Sequence, residues 1–320
     1  MIAALRARAA RGGWAALCGP LLAAGMLFLG PGLALTSGPE PAAKAAPVEL
    51  HPAVLLTPAR APQVEASEAL LVDLRSQTVL YQKNADRPVA PASTTKMMTA
   101  LVAIEYGSLS DTVVIQPADL REGTGVGLAP GEQWTLKDLL YDLLLSSDNT
   151  AAVAIARHVG GSEQAFVALM NQQAADWGLS ETHFVNPHGL DEPGHYSSAR
   201  DLAQIALHGL NDPTFAQIVG TREYRVGPHT LVNLNQLLGA YPGIEGVKTG
   251  TTEAAGQCLV AAAERPTGSV LCVVLGSTDR YADAQALLDY YYTSYHTFTL
   301  SLGSTEVSVL LPADLPPHQL

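Results

Sequence analysis

The chain has 320 residues, of which 48% are apolar and only 15% are charged, so it can bury a sizeable core. Its formal net charge is −12 at pH 7, and removal of residues 1–48, which hold four basic and one acidic residue, would make the remainder more acidic. An acidic chain repels nucleic-acid phosphates, and this excludes nucleic acid as a partner.

The first 48 residues have the layout of an export signal, because residues 14–35 form an apolar stretch that a soft alanine- and proline-rich segment follows. Three basic residues precede the stretch: Arg6, Arg8 and Arg11. A retained membrane anchor is the alternative, although Pro20 and Pro31 make a poor spanning helix. Cys18 has no Leu-x-Gly ahead of it, which argues against a lipoprotein. We expect an exported protein of the periplasm or cell envelope, secreted or held by an N-terminal membrane tether.

The next part of the chain begins with strand patterns and continues with helical ones. Residues 68–90 alternate apolar and polar side chains around a break at RSQT, which predicts an antiparallel hairpin. A helix opened by Ser93, a short strand TVVI and a glycine-broken loop at 121–134 follow. Helical periodicity then covers residues 135–161 and 162–178.

Strand patterns return in the last third of the chain, at REYRVG, GIEGVKTGT, QCLVAAAE and VLCVVLGS, and an amphipathic pattern DAQALLDYYYTSYHTF follows them. Strands at both ends with helices between them predict an α+β fold. Distant segments would close one antiparallel sheet, which helices cover and a helical subdomain extends. We predict a main domain at 60–298 and a C-terminal tail at 299–320, which is too short for a second domain and lacks a basic amphipathic face.

Two cysteines lie in consecutive predicted strands joined by RPTG. An exported protein could oxidise them. A turn centred near Pro266 and Thr267, however, would bring Cys258 opposite a residue near Leu275 and not opposite Cys272. We therefore predict two buried free thiols.

The stretch PASTTKMMTALVAIEYG, residues 91–107, has Ser93 three residues before Lys96 at the start of a helical pattern. Taken alone, a serine in this position is most often a helix N-cap. Residues i and i+3 share a helix face, however, so the amine could reach the serine oxygen. A helix N-terminus also favours negative charge at that oxygen. The pair is compatible with a nucleophile and its base.

Two further motifs bear on this choice. The sequence SSDN has Ser147 and Asn149 between two helical patterns, where a helix cap is the ordinary interpretation. The sequence GVKTGTT has Lys248 in a strand before Gly250, which is typical of an exposed edge strand that ends in a turn. The order Ser-x-x-Lys, Ser-Asp-Asn, Lys-Thr-Gly is nevertheless the signature set of the penicillin-recognising serine enzymes.

Four stretches closely resemble the serine-type D-alanyl-D-alanine carboxypeptidases, the low-molecular-mass penicillin-binding proteins: APASTTKMMTALVAIE, LLLSSDNTAAVAIA, HFVNPHGLDEPGHYSSARDLA and GVKTGTTEAAGQCLVAAAE. The resemblance covers roughly residues 65–295. It implies the DD-peptidase/β-lactamase-like fold, with residues 60–298 as the catalytic domain. It also implies a peptidoglycan stem peptide as substrate, β-lactam antibiotics as covalent inhibitors, and no cofactor or metal.

The resemblance implies the following chemistry at the first two motifs. Ser93 attacks the carbonyl of the D-alanyl-D-alanine bond to give an acyl-enzyme, and the terminal D-alanine leaves. Lys96 is the base, with its pKa lowered by burial and by the charge of Lys248. Ser147 relays a proton to the departing amine, and Asn149 holds the peptide carbonyl and helps to fix Lys96.

The third motif implies the groups that bind the substrate. Lys248 keeps its charge, orients the Ser147 hydroxyl and contributes positive potential towards the substrate carboxylate, which Thr249 binds. Gly250 lets the substrate backbone lie against the strand. The backbone N–H groups of Ser93 and Thr251 form the oxyanion hole.

A class A β-lactamase is the first alternative, because it shares Ser-x-x-Lys and Ser-Asp-Asn. Such enzymes deacylate with the glutamate of a Glu-x-x-Leu-Asn loop, and no such sequence follows Asn149. We therefore expect slow penicillin turnover.

Metal catalysis is an alternative from a different class. His183, His188, Asp191 and His195 cluster in THFVNPHGLDEPGH, and histidine with aspartate can hold zinc. The sequence lacks His-Glu-x-x-His, however, and a similar segment occurs in the resembled metal-free family.

A third alternative is a non-catalytic envelope protein that binds stem peptides, against which the three intact motifs argue. The sequence leaves open whether water or a second stem peptide accepts the acyl group. It also leaves the physiological role open, which could be wall trimming, cell shape or spore formation.

Overall fold

The computed structural model describes residues 50–52, 61–302 and 305–313. The predicted export signal and membrane tether at 1–48, and residues 314–320 of the predicted tail, lie outside these ranges. No helix within them combines the length and the hydropathy needed to span a bilayer.

The strands form one large sheet and three small hairpins. In chain order they are β1 His51–Pro52, β2 Glu68–Asp73, β3 Thr78–Lys83, β4 Thr112–Val114, β5 Gln133–Thr135, β6 Glu223–Val226, β7 His229–Val232, β8 Ile244–Thr252, β9 Gly256–Arg265, β10 Gly268–Ser277, β11 Tyr295–Leu302 and β12 Thr305–Pro312. The large sheet has the order β1-β3-β2-β10-β9-β8. It is antiparallel except for the β1–β3 pair. The predicted hairpin is confirmed as β2 and β3, and β2 pairs with β10 almost 200 residues later, so distant segments close the sheet as predicted.

The helices are α1 Lys96–Tyr106, α2 Leu136–Tyr141, α3 Asn149–Gly160, α4 Glu163–Asp176, α5 Ala199–Asn211, α6 Pro213–Val219 and α7 Arg280–Ser294. The helical middle of the chain is confirmed, and it breaks between α2 and α3, where a π-helical turn, Asp142–Ser146, precedes Ser147. Helices α5 and α6 extend this helical region.

The central strands are buried on both faces, because helices cover both sides of the sheet. Leu70 and Val273 face the larger core around α1 and α5, whereas Leu71 and Val274 face the smaller core against α7. Because both faces of the sheet are covered, β2 and β10 are buried almost throughout and carry continuous apolar runs, so the alternation predicted for residues 68–90 is wrong in β2. Burial of each such side chain contributes about 1.5–3 kcal/mol. The α+β architecture with a helix-covered antiparallel sheet is confirmed.

The cysteine prediction is confirmed, since Cys258 and Cys272 are both free and buried. Strand β9 ends at Arg265 and β10 begins at Gly268, so the turn falls at the predicted residues. The register pairs Cys272 with Ala261 and changes at a bulge beyond Val274, which keeps the two thiols out of register.

The C-terminal helix is shorter than its sequence pattern. It ends at Ser294, and β11 and β12 then form an antiparallel hairpin. The boundaries of the main domain and of the tail stay predictions.

Candidate active site

Ser93 lies in a single 3-10 turn, Ala92–Thr95, immediately before α1. The N-cap positions are Pro91 for the 3-10 turn and Thr95 for α1, so the N-cap interpretation of Ser93 is wrong. The backbone of Ala92 has φ 49°, in the left-handed region where a residue with a side chain is strained by about 1–3 kcal/mol. Lys96 Nζ lies 3.0 Å from Ser93 Oγ, as the spacing of three residues along the turn allows.

Lys96 is wholly buried, and three acceptors surround its amine. Besides Ser93 Oγ, Nζ contacts Asn149 Oδ1 at 2.7 Å and the His188 carbonyl at 2.7 Å. Burial and then the charge of Lys248 lower the pKa of Lys96 well below its ordinary value, and only the charge of Asp148 raises it. A neutral amine donates two hydrogen bonds and accepts one. The amide and the carbonyl can take the two donated bonds, which leaves the lone pair for the Ser93 hydroxyl.

Asn149 is the first residue of α3, and both ends of its amide are engaged. Its Oδ1 accepts from Lys96, and its Nδ2 donates to the Glu122 carbonyl at 2.7 Å. The predicted contact between Asn149 and Lys96 is therefore present. The amide nitrogen, which was predicted to hold a substrate carbonyl, instead donates to the backbone carbonyl of Glu122. Ser147 precedes α3 in the left-handed conformation, with φ 61°, and lines the same cleft as Ser93.

Lys248 is 1% exposed and lies on β8. Its Nζ donates to the Thr249 carbonyl at 3.0 Å, and the structure records no hydrogen bond from it to Ser147. Burial, with a smaller effect from the charge of Arg280, lowers the pKa of Lys248 to about 7. The sequence implied a lysine that keeps its charge, and the lowered pKa works against that charge near neutral pH.

Gly250 packs strand β8 against the serine turn. A Cβ at this position would lie 2.9 Å from both the Ala92 Cβ and the Ser93 amide nitrogen. Glycine at this position therefore allows strand β8 to pack close to Ser93. The prediction gave a different reason, namely that glycine leaves room for the substrate backbone. Thr249 and Thr251 flank it on β8 and line the cleft, and the predicted oxyanion hole at Ser93 and Thr251 stays a prediction.

Arg280 is a site residue that the sequence interpretation missed. It begins α7, and its Nη1 donates to the Gly250 carbonyl at 2.7 Å and to the Cys258 carbonyl at 3.0 Å. Its Nη2 contacts Thr251 Oγ1, and Nε donates to Gln257 Oε1 at 3.2 Å. The guanidinium is therefore fixed behind the part of β8 that carries Gly250.

The cleft has a volume of about 480 Å³. Its lining comprises Ser93, Gly123, Thr124, Ser147, Asn149, Leu190, Leu234, Gln236, Thr249, Gly250, Thr251, Gln257, Arg280 and Tyr281. Arg280 is the only charged residue of this lining, which suits a ligand that carries a negative charge. Leu190 and Leu234 are 38% and 42% exposed and give the rim an apolar side.

The histidine cluster is engaged within the protein. His195 accepts from the Val185 N–H at 3.0 Å through Nδ1 and pairs with Thr95 Oγ1 at 2.8 Å through Nε2. Asp191 accepts from Thr252 Oγ1 at 2.6 Å and from a backbone N–H. Across the described parts of the chain, no three histidine, cysteine or acidic side chains converge in a way that could hold a metal ion.

Residues of the three motifs, Ser93, Ser147 with Asn149, and Thr249 with Gly250, line one cleft beside the buried Lys96, which is the arrangement of the penicillin-recognising serine enzymes. The family model described as D-alanyl-D-alanine carboxypeptidase matches residues 56–279. The chain belongs to this family.

Known proteins agree with this assignment. The chain is 39% identical over 250 residues to the D-alanyl-D-alanine carboxypeptidase DacF of Bacillus subtilis, covering 74% of the chain and 64% of DacF. It thus spans less than two thirds of the length of this relative. The Streptomyces K15 DD-transpeptidase structure matches with TM-score 0.70 and 33% identity, covering 72% of this chain and 98% of that one. Penicillin binding protein 6B of Escherichia coli matches with TM-score 0.74 and 29% identity, covering 82% and 89%.

Proposed function

We propose that the chain is a serine-type D-alanyl-D-alanine carboxypeptidase, a hydrolase that removes the terminal D-alanine of peptidoglycan stem peptides through an acyl-enzyme on Ser93. One observation carries the proposal: the wholly buried Nζ of Lys96 lies 3.0 Å from Ser93 Oγ, with a pKa well below its ordinary value. A hydroxyl becomes a useful nucleophile when an unprotonated base lies within hydrogen-bond reach. Membership of the carboxypeptidase family supports the same reaction.

In the proposed acylation, Lys96 takes the Ser93 proton as Oγ attacks the carbonyl carbon of the D-alanyl-D-alanine bond. A C–O bond forms and the amide C–N bond breaks. The proton passes by way of Ser147 to the departing nitrogen, and D-alanine leaves. Water then opens the ester and restores Ser93. The oxyanion of each tetrahedral intermediate would accept from the N–H groups of Ser93 and Thr251.

The substrate carboxylate would bind at the β8 side of the cleft. Thr249 and Thr251 offer hydroxyl donors there, and both line the cleft. Arg280 and the partly charged Lys248 supply positive potential behind them. A substrate that ends in a free carboxylate is thereby favoured over an internal peptide bond.

The proposal extends to partners and location. A β-lactam would acylate Ser93 in place of the stem peptide and act as a covalent inhibitor. Because stem peptides belong to the cell wall, the enzyme would act in the periplasm or envelope after export by the segment at 1–48, with cleavage of that segment or its retention as a membrane tether. It would then modify peptidoglycan and influence cell shape.

The test is the release of D-alanine from an N-acylated L-Lys-D-Ala-D-Ala peptide, together with covalent labelling by a fluorescent penicillin. We expect Ser93→Ala to abolish both. Ser108→Ala, an exposed serine after α1, is the matched control and should keep both. Labelling retained by Ser93→Ala would identify a different nucleophile.

The same assay separates the alternatives. A chelator should leave D-alanine release unchanged if no metal takes part. Slow hydrolysis of a chromogenic cephalosporin is expected of a carboxypeptidase, and rapid hydrolysis would favour a β-lactamase. An added amine acceptor such as glycine tests the acyl transfer for which the K15 DD-transpeptidase is named.

A further inference from the structure

Asp142 is a completely buried carboxyl group close to the active site. It begins the π-helical turn Asp142–Ser146, which directly precedes Ser147, and its exposure is 0%. Neither of its carboxylate oxygens receives a hydrogen bond of good geometry in the described structure, nor does Ser146 Oγ on the same turn, and the polar side chains that act on the carboxyl group are those of Ser146 and Asp148. Its carbonyl, in contrast, accepts from the N–H groups of both Ser147 and Asp148. The backbone of this residue therefore supports the turn that carries Ser147, while its side chain accepts no hydrogen bond of good geometry from the described residues.

Asp148 is the second buried carboxyl group of this turn, with 2% exposure, and both of its oxygens are used. Oδ1 caps α3 by accepting from the Ala151 N–H at 3.0 Å, and Oδ2 accepts from the Val126 N–H at 3.0 Å. A Cβ on Gly125 would lie only 1.9 Å from Oδ2, so glycine is required for this approach. Asp148 thus joins α3 to the glycine-rich loop at 121–128.

This loop forms one wall of the cleft and is held mainly by the Ser147–Asn149 turn. Thr124 Oγ1 donates to the Ser147 carbonyl at 2.7 Å, and the Asn149 N–H donates to the Thr124 carbonyl at 3.2 Å. The Glu122 carbonyl accepts from the Asn149 amide that also contacts Lys96. Any displacement of the turn would therefore move the loop, Asn149 and the contact to Lys96 together.

The carboxyl groups of Asp142 and Asp148 are both buried and act on each other, and two such groups cannot both be ionised at low cost. Burial and then the charge of Asp148 raise the pKa of Asp142 to about 8; the Ser146 hydroxyl opposes this shift, while hydrogen bonding with Asp148 and the charge of Glu132 add to it. Glu132 comes from the segment that leads into β5 and pairs with His229 of β7 at 3.2 Å. From α1, Lys96 is close enough for the charge of Asp148 to raise the Lys96 pKa. Because both Asp148 oxygens already accept from backbone N–H groups, Asp148 is the anion and Asp142 carries the proton.

We propose that Asp142 is a positioning residue whose protonated carboxyl donates to Asp148 and so holds the Ser147–Asn149 turn and the loop at 121–128 in the arrangement needed for acylation. Loss of the proton places two negative charges side by side in a dry site and loosens the turn. The effect on acylation rests on the proposed function. The effect on folding does not, because it depends only on the buried pair.

The first experiment compares the thermal unfolding of wild type and Asp142→Asn from about pH 6 to about pH 9.5. Between the unfolded and the folded pKa of Asp142, the folded state holds a proton that the unfolded state has lost, so wild-type stability falls as the pH rises towards about 8 and then levels. Asparagine keeps an N–H donor at every pH. We expect the Tm advantage of Asp142→Asn over wild type to grow by about 5 °C or more across this range.

Asp212→Asn is the matched control, since asparagine preserves the side-chain cap on α6 and Asp212 is not one of the groups that act on Asp142. Its Tm difference from wild type should stay constant over the same range. If the Tm difference between Asp142→Asn and wild type also stayed constant with pH, the proposal that Asp142 shares a proton with Asp148 would be overturned.

The second experiment measures the rate of penicillin labelling of Ser93. The ratio of the rate at about pH 9.5 to that at about pH 7 should be about tenfold higher in Asp142→Asn than in wild type, as a group with a pKa of about 8 requires. Asp142→Leu is neutral but has no donor, and it should label slowly at every pH. An equal ratio, or wild-type labelling by a folded Asp142→Leu, would overturn the positioning role. If penicillin does not label the wild type at all, the proposed function fails. The Tm measurements over the pH series would still show whether Asp142 shares a proton with Asp148.

Discussion

Asn149 Oδ1 and Lys96 Nζ lie 2.7 Å apart, although 53 positions separate the two residues in the chain. The contact joins the first residue of α3 to the first residue of α1. The amide cannot rotate freely, because its nitrogen donates to the Glu122 carbonyl at 2.7 Å. The orientation of the candidate base is therefore set by two helices and a loop, and it does not depend on Ser93 alone.

Replacement of Lys96 tests this base directly. Lys96→Met keeps most of the length of the side chain and removes the amine, and we expect the rate of penicillin acylation to fall by about 10²–10⁴-fold, the usual contribution of a general base. Stopped-flow or gel-based labelling with a fluorescent penicillin measures the rate. Lys137→Met on α2, outside the cleft lining, should label like wild type. Wild-type labelling of Lys96→Met would assign the base to another group.

The close approach of β8 to the serine turn gives a second prediction. In Gly250→Ala the new Cβ would meet the Ala92 Cβ and the Ser93 nitrogen at 2.9 Å, so the strand must move away. We expect a stability loss of about 1–3 kcal/mol and a large loss of acylation. Gly161→Ala is the control, because φ 77° there strains an alanine while the space around the Cβ is open. It should lower the Tm but leave the labelling rate unchanged, and equal labelling by both variants would contradict the proposed geometry.

The sheet and the motif residues could be predicted because their signals are local. Strand and turn patterns gave the β2–β3 hairpin and the β9–β10 turn, and these agree with the structure. Helix α5 could also have been predicted from the sequence, because Ser198 caps it and its apolar residues follow the helical period.

The contacts that complete the site could not be predicted, because they depend on the register of distant strands. Arg280 reads as an ordinary residue at the start of a helix, and its role follows from carbonyl groups of β8 and β9 that only the folded sheet brings to it. Asp142 reads as a polar residue in an apolar helix. Its burial becomes visible only when α1, α3, α6 and β7 have closed around the turn.

Lys248 gives a prediction about stability and pH. Its folded pKa of about 7 is below the ordinary value of 10.5, so between these values the unfolded state binds more protons than the folded state. This residue therefore makes the wild type more stable as the pH rises from about 7 to about 10.5. Lys248→Met removes the cost of burying the charge, and we expect its Tm advantage over wild type to be largest below pH 7 and to shrink across that range. Scanning calorimetry in a pH series measures this, and an advantage that grows with pH would refute the assignment.

Arg280 connects substrate binding with the charge on Lys248. Arg280→Gln loses the bonds to the Gly250 and Cys258 carbonyls and the positive charge behind β8. We expect KM for a D-Ala-D-Ala peptide to rise about 10- to 100-fold, the usual range for a lost charge-assisted hydrogen bond. The charge of Arg280 also lowers the pKa of Lys248, so its removal should raise that pKa and move the alkaline limb of kcat/KM to higher pH.

Steady-state kinetics over a pH series measure both effects of the Arg280 substitution. Arg225→Gln, at a side chain that is 77% exposed on β6, is the control and should change neither KM nor the limb. A variant that merely disturbs the fold would lower kcat and Tm without shifting the alkaline limb of the kcat/KM profile. A higher KM together with a shifted limb therefore assigns Arg280 to the electrostatics of the cleft, whereas an unchanged KM would leave its bonds to β8 and β9 as a purely structural feature.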